Sequence, residues 1–578
     1  MKFKCGLEIH QRLDTHKLFC QCSSHESQDL NIKITRKQYA VKSEMGETDQ
    51  AVAYQAMQDK EYIYHVYENC CLVELDAEPP HDVNSESIEI VLQISKMLNC
   101  KPVDEINVMR KTVVDGSNTS GFQRTMVIAT DGYVETSKGR VRIDQICLEE
   151  ESAGIVKREN NTAEYRLDRL GIPLVEITTA PDIIDPDHAV ETAEKIGRML
   201  RMTKVMRGIG TIRQDVNVSI PEGARVEMKG FQDIKEMKKV ILNEIQRQKN
   251  YNDIINELKK RFNNKIEYPF EVYEITSIFD STKSKLFSNI KKGHSVFALK
   301  MPNFQGLFGR ELCPDYRYGT ELSDYAKPAG IRGIIHSDEK LEKYKIEPEV
   351  ADELLTVLEF PFVMVVAQEE VCLNALKRVY DRSLIDKVPS ETRNVDSLIN
   401  RYMRPMPGAA RMYPETDVQS ILIEDLWSQI KEPEDYEDRL NSLEKKIGKD
   451  LASKIVIHPK YHIFEKFQSD PKTTAWVITE LLRSLSRDEF DVGDERLESV
   501  LGFYEKGTIV RAAVEEVLKY AIKEDVSISE AINKLNIEKI KGKELEKIIT
   551  ELKTIPNIMR EYRLRVDPAD IQKILKKK

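Results

Sequence analysis

The alternation in TIRQDVNVSI, residues 211–220, confines that segment to a strand and decides which side of its sheet is polar. Successive strand side chains point to opposite faces, so Val216, Val218 and Ile220 go one way while Arg213, Asp215, Asn217 and Ser219 go the other. RVEMK, residues 225–229, repeats the pattern, with Val226 and Met228 against Arg225, Glu227 and Lys229. A hairpin pairing Ser219 with Arg225 keeps both apolar sets together and sets Asn217 opposite Glu227 and Asp215 opposite Lys229. One face then carries seven polar groups of both signs. An ordinary solvent-facing sheet would present the same, so the hairpin alone decides nothing about chemistry.

Three further stretches add to it. GLEIH, residues 6–10, puts Glu8 and His10 on one face with Leu7 and Ile9 on the other. PLVEIT, residues 173–178, holds Glu176 in an otherwise apolar strand, and CLEEES, residues 147–152, ends one with Glu149, Glu150 and Glu151. Carboxylates gathered on one sheet repel unless they are protonated or neutralised. A hard divalent cation is the simple remedy, and oxygen ligands with one imidazole suit Mg²⁺ or Mn²⁺. DGSNTSGFQRT, residues 115–125, supplies hydroxyls at Ser117 and Ser120 with Arg124 close behind. It lacks the Gly-Lys-Ser/Thr ending of a Walker loop, and Gly, Ser and Asn crowd into turns in any case. With Arg213 and Lys229 these residues are a kit for phosphoryl transfer. Arg404 and Arg411, flanking a Pro/Gly loop, are weaker candidates of the same kind as Arg124, against a purely structural role.

At 578 residues the chain needs three or four domains at roughly 150 residues each. The expected class is α+β, with a mixed or antiparallel sheet in the first domain and an all-helical tail. Residues 1–268 mix strands and helices, with a β-meander over 125–151 turning at Asp131-Gly132 and Lys138-Gly139, and a helix capped by Asp185 ahead of Pro186. Residues 269–388 have a different texture and read as an inserted α+β domain, residues 389–429 as a return segment, and 430–578 as helical, with Gly507-Thr508 as one helix start. The longest apolar run, FPFVMVVA, is far short of the ~20 residues of a membrane span, and the opening residues show no signal-peptide core. Nine cysteines without such a signal point to a reducing cytoplasm. Cys20 and Cys22 with Cys70 and Cys71 could make a four-thiolate zinc site, although adjacent cysteines rarely share one tetrahedral ion. Net charge is −10, yet residues 533–578 carry 13 Lys/Arg against 7 Asp/Glu, a basic end that points weakly to a polyanion such as RNA.

GLEIHQRLDTHKLFCQC, DGSNTSGFQRT, RLDRLGIPLVEITTAPDI, GIGTIRQDVNVSI and YPETDV together resemble the E-subunit family of archaeal glutamyl-tRNA(Gln) amidotransferases, relatives of the bacterial B subunits, from end to end. The resemblance implies ATP- and Mg²⁺-dependent phosphorylation of the γ-carboxylate of glutamate misacylated on tRNA(Gln), then attack by ammonia. It implies a hetero-oligomer in which an asparaginase-like D subunit supplies that ammonia, and no membrane. Carried over motif by motif, it makes His10, Glu150 and Glu176 the metal ligands, and Glu8, Asp215, Asn217, Glu227 and Lys229 their catalytic neighbours. Ser117, Ser120, Arg124 and Arg213 are the expected nucleotide contacts. Where bacterial B subunits read EEDAG this chain reads EEESAG, which leaves Glu150 and Glu151 both open as the ligand, and the family's zinc cysteines are incomplete. The insert resembles the extra domain of bacterial-type aspartyl-tRNA synthetases, and the tail a tRNA-binding domain. The rival reading is a non-catalytic tRNA scaffold whose acidic cluster is a structural ion-pair network.

Overall fold

The computed structural model describes residues 3–576 apart from 43–45, 58–59, 160, 232, 280–283, 285–289, 291–292, 360 and 432–433. The chain divides into two units, Met1–Glu432 and Pro433–Lys578. The first is built on a mixed sheet with strands β1 (Lys4–Arg12), β2 (Met109–Thr112), β3 (Phe122–Thr136), β4 (Gly139–Glu150), β5 (Pro173–Thr179), β6 (Ile212–Ser219), β7 (Val226–Phe231), β8 (Glu391–Asp396), β9 (Ile399–Pro405) and β10 (Met412–Pro414). Their order is β9-β8-β7-β6-β1-β5-β4-β3-β2-β10, and only β7 and β8 run parallel. Leu7, Ile9, Val175, Ile177, Val216, Val218 and Met228 leave one face of it and join a core with three helices, α1 (Ser85–Met97), α2 (Pro186–Leu200) and α3 (Ile234–Arg261). Asp185 accepts the His188 N–H and Pro186 fills the first turn of α2, as the sequence leads one to expect.

The hairpin register agrees with the alternation at Asn217 opposite Glu227 and Val218 opposite Val226. It then slips, because a bulge sets Lys229 and Gly230 together against Asp215. Gly230 takes φ 93°, a left-handed conformation that favours glycine. The expected meander is instead one long hairpin, since β3 runs straight through Asp131-Gly132. Gly132 serves close approach and not a turn: a Cβ there would lie 2.1 Å from Cys100 Sγ and 2.6 Å from Leu98 O.

Residues 401–418 hold the Pro/Gly loop between two strands. They finish β9, cross in a short segment and enter β10, which lies at the opposite end of the strand order. Ten strands laid flat would put their edges about 43 Å apart, whereas the seven steps from Pro405 to Met412 reach at most about 25 Å. The sheet is therefore strongly curled, and residues 406–411 strap its two edges together.

Residues 269–388 carry a four-stranded antiparallel sheet in the order Val272–Glu274, Ser295–Lys300, Phe362–Ala367, Ile335–His336. Helices α4 (Tyr318–Ala326) and α5 (Glu369–Ser383) pack its residues onto the end of α3 in a second core. A buried ion network stitches this segment to β8. Arg393 pairs with Glu321 at 2.8 Å and Glu391 at 2.6 Å, Arg382 pairs with both, and Arg247 binds Glu244 at 2.8 Å. All six side chains are at most 3% exposed.

The unit Pro433–Lys578 is helical among its described residues, with one core from Leu443 to Ile537 and a smaller one around Ile540, Leu545, Ile558 and Ile571. Gly507, read as a helix start, instead follows the helix Asp494–Glu505 at φ 66°, and the next α-helix begins at Val514. No helix among the described residues is long and apolar enough to cross a membrane.

Candidate active site

The polar face opposite the helices gathers side chains from seven strands, β1, β2 and β4–β8. On β1, Glu8 lies between Asp215 and Thr178, and His10 between Arg213 and Glu176. On β4, Glu149 stands opposite Leu174 and Cys147 opposite Glu176, so the pleat brings Glu149 to this face and turns Glu150 away. His10 Nε2 lies 3.1 Å from Glu176 Oε2 and 3.9 Å from Glu149 Oε1, and Lys111 Nζ on β2 donates to Glu149 Oε2 at 2.7 Å. His10, Glu149 and Glu176 each offer a ligand atom, all within 4.8 Å of one another. Glu8, Asp215 and Glu227 form a second such group beside it. Lys229 Nζ sits 2.6 Å from Asp215 and 2.8 Å from Glu227, Asn217 Nδ2 donates to Glu8 at 3.1 Å, and Thr392 Oγ1 donates to Glu227 at 2.7 Å.

Burial by itself would push His10 down, but the hydrogen bond and charge of Glu176 win and raise it to about 9. Burial pushes Glu8 up, reinforced by Glu176 and Glu227. Glu227 is held at about 2 despite burial, because Lys229 lies against it. Five carboxylates thus face two ammonium groups, Lys111 and Lys229. The surplus of negative oxygen donors, with one imidazole, fits a hard divalent cation, which has a proton on His10 to displace.

The three consecutive glutamates have three different fates. Glu149 belongs to the acidic face. Glu150 accepts the Arg124 backbone N–H at 2.9 Å and lies 3.3 Å from Arg124 Nη1, and its burial outweighs that cation and raises its pKa. Glu151 lies among Arg12, Arg169 and Arg213, at 3.0, 3.3 and 2.9 Å, and these hold it at about 2 against its burial. The structure therefore puts Glu149, and not the expected Glu150, beside His10 and Glu176.

The family model described as the GatB/GatE catalytic domain matches residues 3–429, and that of the GatB domain matches residues 462–553. The chain belongs to the GatB/GatE family. Among similar proteins, all named as the E subunit of glutamyl-tRNA(Gln) amidotransferase, that of Methanosarcina acetivorans is 40% identical over 99% of this chain and 97% of its own. Those of Pyrococcus abyssi and Methanocaldococcus jannaschii are each 42% identical, over 95% and 94% of this chain and 90% of their own.

Within this GatB/GatE domain the remaining expected residues lie apart from the acidic face or are already engaged. Ser120 Oγ donates within its own loop, to Asn118 Oδ1 and the Phe122 carbonyl, and the Ser117 N–H goes to Asp115. Gln38, Tyr165 and the Glu74 carbonyl pin the loop from outside. Arg124 is shared between Glu150 and Glu415. Arg213 binds Glu151 next to His10, and alone of these four it borders the acidic face. The four-cysteine set does not assemble. Cys20, Cys22 and Cys71 come together with Glu74 and without Cys70, and Lys17 Nζ already neutralises Glu74 at 2.6 Å. Burial raises the thiols of Cys20 and Cys71, the latter to about 12. A zinc here would take three thiolates and would have to draw Glu74 from Lys17. Sequence reading misses Lys111 and Thr392 altogether. Only strand pairing could find them, since neither stretch alternates clearly.

Proposed function

We propose that this chain amidates glutamate carried on tRNA(Gln), phosphorylating its γ-carboxylate with ATP so that ammonia can displace phosphate. The observation that carries the reading is the pair of three-ligand groups side by side on β1, one on His10 and one on Glu8. A carboxylate is a poor acyl donor, and phosphorylation gives it a leaving group. His10, Glu149 and Glu176 would hold Mg²⁺, with Glu8, Asp215 and Glu227 as the adjoining oxygen donors. When bound, the metal supplies charge neutralisation for the phosphoryl oxygens. Lys229, kept cationic by Asp215 and Glu227, places a fixed ammonium at the same face. Asn217 orients Glu8, and Thr392 orients Glu227. In such a transfer nearly all of the catalysis is positioning and electrostatics, which a rigid sheet provides.

The likeness to E subunits supports an asparaginase-like partner as the source of the ammonia, in a cytoplasmic hetero-oligomer. Residues 1–268 and 389–429 form the catalytic body, 269–388 an insert of the kind found in bacterial-type aspartyl-tRNA synthetases, and 430–578 the tRNA-binding tail. The test is release of phosphate from terminally labelled ATP with Mg²⁺, glutamyl-tRNA(Gln) and the ammonia-producing partner. ATP consumption that requires the misacylated tRNA supports the reading. If label never leaves ATP, the chain is a tRNA scaffold.

The tail yields a separate expectation. Cutting after Ile537 removes the second helical core whole and takes from the first only the partly buried Leu564 packed against it. Loss of its Lys/Arg groups raises KM for charged tRNA by about tenfold or more at physiological salt, with kcat little changed. An unchanged KM would place the tRNA contacts elsewhere.

A further inference from the structure

The strap 406–411 is bounded by two arginines that the fold leaves unclaimed. Arg110 is paired with Glu415, Arg124 with Glu150 and Glu415, and Arg401 with Asp324 and Asp396. Arg404 and Arg411 have no carboxylate partner among the described residues. Arg404 Nη1 is buried and makes no hydrogen bond. An orphaned donor of this kind is costly and calls for an acceptor that the protein itself does not supply.

Their position says which acceptor. Arg404 pairs across β9 and β8 with Thr392, and Thr392 pairs with Glu227 on β7, so all three lie in one row on the acidic face. Arg411 adjoins Met412, the strand partner of Lys111, whose ammonium binds Glu149. One arginine thus borders each acidic group. The two guanidinium groups also sense each other: burial and then Arg404 lower the pKa of Arg411, while Asp49, Glu227 and Glu149 draw it back up. The strap between them is fixed. Asp49 Oδ2 accepts the Gly408 N–H at 2.7 Å, while Asp49 Oδ1 caps the helix Gln50–Ala56 at the Ala51 and Val52 N–H groups.

We propose that Arg404 and Arg411 are a polyphosphate clamp, two guanidinium forks held over the curled sheet to grip the phosphoryl chain of a nucleotide between the acidic groups. Guanidinium matches phosphate oxygens two at a time, and the acidic face opposite suits the cation that travels with a polyphosphate. The assignment rests on the amidotransferase reading for the identity of the nucleotide, but the clamp itself can be tested without that reaction. The probe is magnesium tripolyphosphate titrated calorimetrically into the full chain without tRNA.

Arg404→Gln and Arg411→Gln should each weaken its binding at least about tenfold, and Arg404→Lys less. Melting temperature should stay put, since neither side chain holds the fold together. In the amidation assay KM for ATP should rise while KM for tRNA does not. Wild-type affinity in both Gln variants, or no binding to the wild type, overturns the clamp. Variants that keep tripolyphosphate but lose a CpCpA trinucleotide overturn it in favour of an RNA phosphodiester. If the variants lose tripolyphosphate while the wild type fails to amidate, the clamp stands and the amidotransferase reading falls.

Discussion

Glu149→Gln should lower glutaminyl-tRNA formation by on the order of 10²–10³-fold, the loss typical when one preorganised electrostatic contact to a developing charge is removed. The substitution keeps the shape and hydrogen-bonding capacity of the side chain. It removes one anionic oxygen from the group with His10 and Glu176, and it leaves Lys111 without its ion-pair partner. Glu150→Gln should cost no more than about tenfold, because the Arg124 N–H retains an acceptor and the Arg124 guanidinium keeps Glu415. The assay is ATP-dependent conversion of glutamyl-tRNA(Gln) with the ammonia-producing partner present, both variants side by side. A dead Glu150→Gln beside an active Glu149→Gln would mean that the extra residue in EEESAG shifts the ligand by one and that the pairing of β4 with β5 is misplaced.

That comparison also shows where the sequence is informative and where it stops. Alternation in 211–229 contains both the faces and the Asn217–Glu227 pairing, because a polar residue on the wrong side would be buried without a partner. It cannot contain the bulge at Lys229-Gly230, which depends on how β8 and β9 continue the sheet. Glu8, His10 and Glu176 stand out as polar residues among apolar neighbours. Glu149, Glu150 and Glu151 do not separate, since a run of three carboxylates has no period, and only the register against Leu174 and Thr125 tells them apart. DGSNTSG looks like a phosphate loop by composition, yet the Gly116, Ser117, Ser120 and Gly121 N–H groups are taken by Gln38, Asp115 and Asn118. Composition reports which residues tolerate a tight turn and says nothing about whether its donors are free. The strap arginines are visible as residues. Their meaning depends on the curl of a sheet whose two edge strands are close in the chain, while most of the strands between them come from residues 4–231.

The second large effect concerns stability. Glu321→Gln should destabilise the unit Met1–Glu432 by about 3–5 kcal/mol, because it leaves buried guanidinium charge without its counter-charge. Glu321 accepts from Arg393 and Arg382 and lies 3.5 Å from Arg247, with no exposure at all. Burial alone would raise its pKa, but Arg393, Arg382 and Arg247 hold it well below the usual carboxylate range, and Glu244 is likewise lowered, against its burial, by Arg247 and Arg393. A carboxylate depressed in the folded state contributes stability above its unfolded value of about 4.3 and loses it as pH falls below that value. The wild type should therefore weaken between about pH 5 and 3, and Glu321→Gln should flatten that slope. The chain has two tryptophans, Trp427 and Trp476, one in each unit, so a Trp476→Phe background makes urea unfolding read the first unit by fluorescence. Replacing the network wholesale is a different experiment: Glu244, Arg247, Glu321, Arg382, Glu391 and Arg393 exchanged together for apolar residues of similar size should recover much of the lost stability, since desolvation of the six charges nearly offsets their attraction. A single substitution that costs nothing would mean that water reaches the network, and that the segment 269–388 is held to the sheet by the apolar contacts around Tyr251 and Leu322 alone.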